Sequence, residues 1–301
     1  MKLNRLSLKD QSLFNRYFNR LTPELAAFSF ANIYIWKTLY TIDWAVIQDS
    51  LCIFFHDQLG CFMYLPALAA KPKAKVIQQA FMIMDKLNKN KDISRIENIQ
   101  QEQLDDYRFL GYRCQEKYPD YLCLRSDLAL LKGNKFKSQR AAYNYFIKHY
   151  DYDWRRFGLK DAADCLNLFD AWVKERKTQC DDQVYGGMLE DSRQVIQEGF
   201  ANYQQLNLEG IVVRVNKEIK AFSFGYRLNH NTFCILYEIT DLAIKGLAQF
   251  IFRRFSQELK DYQYINIMDD SGLESLRKTK LAYKPVRLIP AYIATRDDRE
   301  Y

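Results

Sequence analysis

The sequence predicts an α+β protein made of two copies of one unit, each a mixed β-sheet flanked by helices. Three observations predict it. Strand-like apolar runs come in threes and are followed by helical periodicity, once in the first 130 residues and once in the C-terminal third. Read through, both halves give the order β-β-β-α-β-α-β, an internal repeat. Between them lies a helical stretch rich in Lys and Arg. The 301 residues are 48% hydrophobic and 15% aromatic, which excludes disordered and fibrous classes and supplies apolar side chains for two cores.

The first helix is expected from Ser7, whose Ser-x-x-Asp spacing to Asp10 is that of a capping box, with Leu13, Phe14, Tyr17 and Phe18 on one face. It stops before Pro23. The runs 44–48, 51–55 and 61–65 read as a strand meander joined by Asp49-Ser50 and a turn at Gly60. After Pro72, Val76, Ile77, Ala80, Phe81, Met84 and Leu87 fall at helical spacing. A buried strand over 94–99, a helix through Leu104 and Tyr107, and a strand over 121–125 complete the unit. In the C-terminal third, strands are expected over 211–215, 219–228 and 232–239, with a turn at Asn216-Lys217-Glu218. A helix over 246–259, a strand over 264–268, a helix over 273–281 and a strand over 288–294 follow. The connector reads as helices over 134–150, 161–177 and 195–200, with Gly186-Gly187 as an interruption, most simply a helix-to-helix turn. The expected domains are 1–130, a basic helical connector 131–205 that packs with the second domain, and 206–301.

The net charge of +7 permits an anionic partner. Five cations (Lys132, Lys135, Lys137, Arg140, Lys148) and no acid stand between positions 132 and 148, and Phe136, Tyr143 and Phe146 among them fit a core face beneath a basic outer surface. Seven cysteines, Cys180 among them, are scattered, and the three histidines show no metal-binding spacing. Buried thiols and no metal site are expected. The longest stretch without Asp, Glu, Lys or Arg, residues 58–70, contains Pro66 and is shorter than the roughly 20 residues of a spanning helix. With four charges and no apolar core in the first ten residues, a cytoplasmic location is expected.

Meander, helix, strand, helix, strand is the order of the GNAT acyltransferase fold, and two copies suggest a tandem. Narrower words are the runs at 213–247 (VRVNKEIKAFSFGYRLNHNTFCILYEITDLAIKGL), 265–285 (INIMDDSGLESLRKTKLAYKP), 29–37 (SFANIYIWK) and 131–146 (LKGNKFKSQRAAYNYF). With them the chain resembles, over residues 28 to 292, the DUF2156 family of bacterial proteins related to the C-terminal catalytic domain of phosphatidylglycerol lysyltransferase. Asn266, Asp270, Gly272, Leu276, Arg277, Lys280, Tyr283 and Pro285 stand at the family's spacing. The resemblance implies two GNAT-like domains and transfer of an aminoacyl or acyl group onto an amine or hydroxyl. It implies no lipid acceptor, because the membrane segments of the lipid-modifying enzymes are missing. Where the family commonly reads Glu-Lys-Ala-Asn, this chain has Glu238-Ile239-Thr240-Asp241. Ile267 and Met268 replace a basic and an acidic residue, and Gln139 and Ala141 replace Lys and Asn.

Acyl transfer needs a base, a polarising group and a cradle for the donor's anionic part. Glu238, expected at the end of the central strand where a GNAT sheet splays, is the candidate base, with Asn266 and Asp270 behind the next strand as catalytic partners. A salt-bridged glutamate and a turn-capping pair are the structural alternatives. Lys245, Gly246 and Ala248 open a helix whose N-terminus could cradle phosphate, although Ala243 stands where the acetyl-CoA loop carries Gln or Arg. Arg277 and Lys280, with Lys278 beside them and Tyr283 following, are the other candidate donor contacts, against a solvated helix face. The donor expected is aminoacyl-tRNA, ahead of acyl-CoA, and no cofactor is held permanently. Two functions stay open: a soluble aminoacyl- or acyltransferase, or a catalytically silent binding protein that recognises tRNA or a phosphorylated metabolite. The missing charges favour the second, the retained Glu238, Asn266, Asp270, Arg277 and Lys280 the first.

Overall fold

The computed structural model describes residues 2–69, 73–179 and 183–296. Twelve strands are found there: β1 (Asn4–Arg5), β2 (Thr41–Ile47), β3 (Ser50–His56), β4 (Cys61–Met63), β5 (Ile96–Ile99), β6 (Tyr112–Leu124), β7 (Tyr152–Arg156), β8 (Glu209–Val215), β9 (Glu218–Arg227), β10 (Thr232–Thr240), β11 (Tyr264–Asn266) and β12 (Arg287–Arg296). The chain divides into two compact units. One gathers Met1–Asp120, Asp269–Gly272 and the chain from Leu288; the other gathers Tyr121–Met268 and Leu273–Arg287. The α+β class and the twofold β-β-β-α-β-α-β order are as the sequence predicts.

In the first unit the strands run β1-β2-β3-β4-β5-β12-β6. β2 to β4 form the antiparallel meander, and β5 lies parallel to β4. Alternation along the strands sends Ala45, Cys52 and Phe54 to one face, under Val76, Ala80, Phe81 and Met84 of the helix Ala74–Leu87. Trp44 points the other way, edge-on to Phe14 at 6.0 Å. Phe14 lies on the helix Gln11–Phe18, which follows a turn where the Ser7 N–H donates to Asp10 Oδ2 at 2.8 Å, the bond the Ser-x-x-Asp spacing predicts.

The second unit repeats this plan as β6-β11-β10-β9-β8-β7, with only the end of β6, residues 121–124, taking part. In both units a two-residue turn with both residues at positive φ joins the first two meander strands: Gln48 and Asp49 at 45° and 65°, Asn216 and Lys217 at 52° and 71°. Such turns match the twist of a hairpin. Under one face lie Leu247, Phe250, Ile251 and Phe255 of the helix Leu247–Glu258, with Phe146 from the basic helix Lys137–His149. On the other face Phe200 packs edge-on to Phe222 and tilted against Phe224.

One expectation is corrected. The helix Gln183–Ala201 contains Gly186 and Gly187, so the doubled glycine is not a turn. Each glycine costs a helix interior roughly 1 kcal/mol, and here burial of Leu189, Val195, Ile196 and Phe200 offsets it. Of the cysteines, Cys52, Cys61, Cys123, Cys165 and Cys234 are buried free thiols and Cys114 is half-buried; Cys180 lies outside the described residues. No helix among the described residues is long and apolar enough to cross a membrane.

Candidate functional site

Glu238 lies on β10, where two irregularities of the sheet meet. β10 pairs in parallel with β11 through Thr232, Phe233 and Cys234, ending at Cys234 opposite Asn266. From there β10 runs on to Thr240 while β11 stops, so Glu238 stands at an opening between parallel strands, the usual place for a ligand in such sheets. The second irregularity is a bulge between Ile235 and Tyr237. Phe233 and Ile235 face the helix Leu247–Glu258, and strict alternation would turn Tyr237 to that side as well. The extra residue inverts the alternation. Tyr237 instead meets Phe224, with ring centroids 5.7 Å apart, and Glu238 shares the face of Phe233 and Ile235.

Glu238 is only partly buried as a residue, yet its Oε2 is sealed from solvent with no hydrogen-bond partner. Burial raises its pKa to about 8, against the pull of Lys280. Lys280 is turned inward from the helix Glu274–Ala282 and donates from Nζ to the carbonyl oxygens of Ile267 and of Met268, the latter at 3.3 Å. Tyr283, which ends that helix, packs on Phe252 at 4.1 Å between ring centroids; its pKa is raised by burial and then by Glu238. Asn266, fully buried at the end of β11, accepts from the Met268 N–H at 2.7 Å. Opposite Glu238 in register is Ser223 on β9, whose buried hydroxyl has no partner either.

The helix start at Gly246 is built for close packing. Gly246 has φ 85°, and a Cβ there would stand 2.1 Å from the Ala142 carbonyl oxygen. No side chain caps this helix. The Ala243 N–H is already given to Asp241 Oδ1 at 3.0 Å, and Lys245 lays its ammonium over the Tyr145 ring at 4.5 Å. Gly246→Ala is therefore expected to cost about 2 to 4 kcal/mol, the left-handed backbone and the displacement of the Ala142 turn of the helix Lys137–His149 adding together. Denaturant unfolding measures it; an unchanged midpoint refutes the packing argument.

The cations at 277, 278 and 280 do not share a face. Lys280 is buried, Lys278 reaches back to Glu274 at 3.6 Å in solvent, and Arg277 is exposed. In the basic helix, Arg140 donates to the Leu131 and Gly133 carbonyls, and Gln139 donates to the Ala282 carbonyl at 2.8 Å. Gln139 thus ties down the end of the helix carrying Lys280. Asp270 belongs to the first unit, where its Oδ1 accepts from the Gly272 N–H at 3.0 Å. Ser223 was not singled out by the sequence, and no spacing signal marks it.

The first unit offers a comparison. Its segment Ile96–Ile99 matches 264–267 in order, and Asn98 donates to the Tyr64 carbonyl at 2.8 Å. Burial pushes the Glu97 pKa up, but Lys117 and Arg95, at 2.9 and 2.7 Å, hold it below the usual value. Glu97 falls where the second unit has Ile265, so this paired carboxylate has no counterpart there.

A meander, a parallel pair that parts and a helix following the gap, twice in one chain, define the GNAT-like fold of the acyl- and aminoacyl-transferase type. The chain belongs to the family described as phosphatidylglycerol lysyltransferase, C-terminal, whose profile it matches over residues 18–295. Its structure is similar to a conserved protein of unknown function from Bacteroides thetaiotaomicron, at TM-score 0.88 and 29% identity over 99% of this chain and 100% of that one. It is also similar to the C-terminal domain (DUF2156) of a putative lysylphosphatidylglycerol synthetase from Agrobacterium fabrum, at TM-score 0.67 and 12% identity over 97% of this chain and 93% of that one. L-PGS from Bacillus licheniformis follows at TM-score 0.61 and 18% identity over 86% and 85%. No curated protein sequence matches the chain.

Proposed function

We propose that the protein is an aminoacyl- or acyltransferase that moves an acyl group onto an amine or hydroxyl acceptor, with Glu238 taking the acceptor's proton. The observation that carries this reading is the unpaired Glu238 carboxyl at the strand opening, with a pKa of about 8. A proton acceptor works best when its pKa lies near the working pH. Asn266, fixed by its bond to Met268, orients the acceptor. Lys280 and Tyr283 set the field around Glu238, while Lys245, Gly246, Ala248 and the exposed Arg277 are left for the donor.

Aminoacyl-tRNA is put ahead of acyl-CoA as donor. Ala243 has no side chain to grip a pyrophosphate, and its N–H is spent on Asp241. An exposed guanidinium at Arg277 suits phosphate oxygens of a tRNA acceptor end. Charged tRNA would place the reaction in the cytoplasm. A silent binding protein for tRNA or a phosphorylated metabolite is the second reading. Ile267 and Met268 favour it, because they bring no charge beside Asn266 and offer only their carbonyls to Lys280.

The test is titration with acetyl-CoA and with charged and uncharged tRNA at two salt concentrations, with acyl transfer to amine and alcohol acceptors followed in the same mixtures. Transfer from charged tRNA supports the proposal; binding without any transfer supports the second reading; tight, salt-tolerant CoA binding without tRNA binding reverses the donor order. Arg277→Ala is expected to weaken donor binding about ten- to a hundredfold, with added salt weakening the unsubstituted protein as well.

A further inference from the structure

Ser223 Oγ and Glu238 Oε2 are both buried without a hydrogen-bond partner, and their residues stand directly opposite each other on β9 and β10. Opposed residues of antiparallel strands hold their Cβ atoms about 4.5 to 5.5 Å apart on one face. Buried polar groups are normally bonded, and these two belong to residues paired across the strands. Among the described residues no group hydrogen-bonds to either atom, and Lys280 is engaged by the carbonyls of Ile267 and Met268.

We propose that Ser223 and Glu238 form the seat of a primary amine acceptor, held as its ammonium with one N–H donated to Glu238 Oε2 and another to Ser223 Oγ. The inference rests on the reading of Glu238 given above and narrows it from amine or hydroxyl to amine. An alcohol can bridge the pair, giving its O–H to Glu238 and accepting from the Ser223 O–H, yet it brings no charge to the carboxylate. An ammonium has three N–H donors, and its charge offsets a carboxylate that is otherwise costly to bury. The titratable groups around the seat are Lys280 and Tyr283, with Cys123 on β6 beyond them.

Protons and bonds balance as follows. On binding below pH 8 the Glu238 carboxyl releases its proton to solvent and pairs with the ammonium. The ammonium then returns one proton to Glu238, and the freed lone pair attacks the donor carbonyl. The C–N bond forms, the ester C–O bond of the donor breaks, and the second nitrogen proton goes to the departing oxygen.

Butylamine, butanol and butyltrimethylammonium serve as probes in ligand-observed NMR on the full chain. The proposal expects butylamine to bind, more tightly as pH rises towards 8, with butanol and the quaternary ion failing to compete. Ser223→Ala should weaken butylamine about tenfold, Ser223→Thr should restore it, and Glu238→Gln should weaken it by more than about tenfold. Thermal unfolding of each variant separates lost folding from lost binding. Absence of butylamine binding, equal binding by Ser223→Ala, or equal binding of the quaternary ion overturns the proposal. If Glu238→Gln abolishes transfer but leaves butylamine binding intact, the seat is wrong and the transferase reading stands. Butylamine binding with no transfer from any donor gives the reverse.

Discussion

Glu238→Gln is expected to lower the rate of acyl transfer by about 10² to 10⁴, the usual loss when a positioned proton acceptor is removed. Donor affinity should be little changed, since the substitution keeps the shape of the side chain. The pH profile adds a second readout. In the unsubstituted protein the rate should climb about tenfold per pH unit up to about 8, as the buried carboxyl ionises, and then level; the variant should be flat. Stability should move the opposite way. The folded chain holds a proton that the unfolded chain has released between 4.5 and about 8, so stability falls as pH rises through that window. Glu238→Gln removes the fall and at pH 9 should be the more stable protein by about 1 to 3 kcal/mol. A variant with unreduced transfer would remove Glu238 from the chemistry, whatever its stability.

Phe146→Ala should cost about 3 to 5 kcal/mol, the loss of a buried ring plus the cavity it leaves. Phe146 is fully buried, with Phe250 at 4.8 Å, Tyr152 at 5.1 Å and Tyr150 at 5.4 Å between ring centroids. Its ring meets Phe250 of the helix that Gly246 opens, so the packing it supplies lies under that helix beside the site. Calorimetry measures the cost; a loss below 1 kcal/mol would mean that Tyr150 and Tyr152 collapse into the space.

Most of the elements, and the place of Glu238 on them, were legible because apolar alternation and helical spacing are local properties of sequence. Ile211, Val213 and Val215 announce β8 by themselves, and Gly246 marks the helix after β10. The first nine residues of β6 were not legible: Arg113, Glu116, Lys117 and Pro119 break the apolar pattern, although each strand residue needs only a backbone partner. Tyr152–Arg156 was missed as β7 for the same reason, being a short, charged edge strand. The bulge at Ile235–Tyr237 carries no marker, yet it alone decides which face Glu238 takes. Lys280 reads as part of a surface cluster with Arg277 and Lys278, and only the fold shows its ammonium spent on two carbonyls. Ser223 is invisible in the sequence because its interest lies in what stands across from it.

The first unit closes its sheet with β12, from the far end of the chain, and the second borrows the end of β6 from the first half. On the ribosome this imposes a wait. When Asp120 emerges, the partner that β5 needs has yet to be made, and at about 5 to 20 residues per second it arrives about 10 to 30 s later. Through that interval the edge of β5 has to be kept from other chains, and neither half of the coding sequence, expressed by itself, carries a complete sheet. Truncation after residue 205 would thus leave an aggregation-prone fragment rather than a smaller protein.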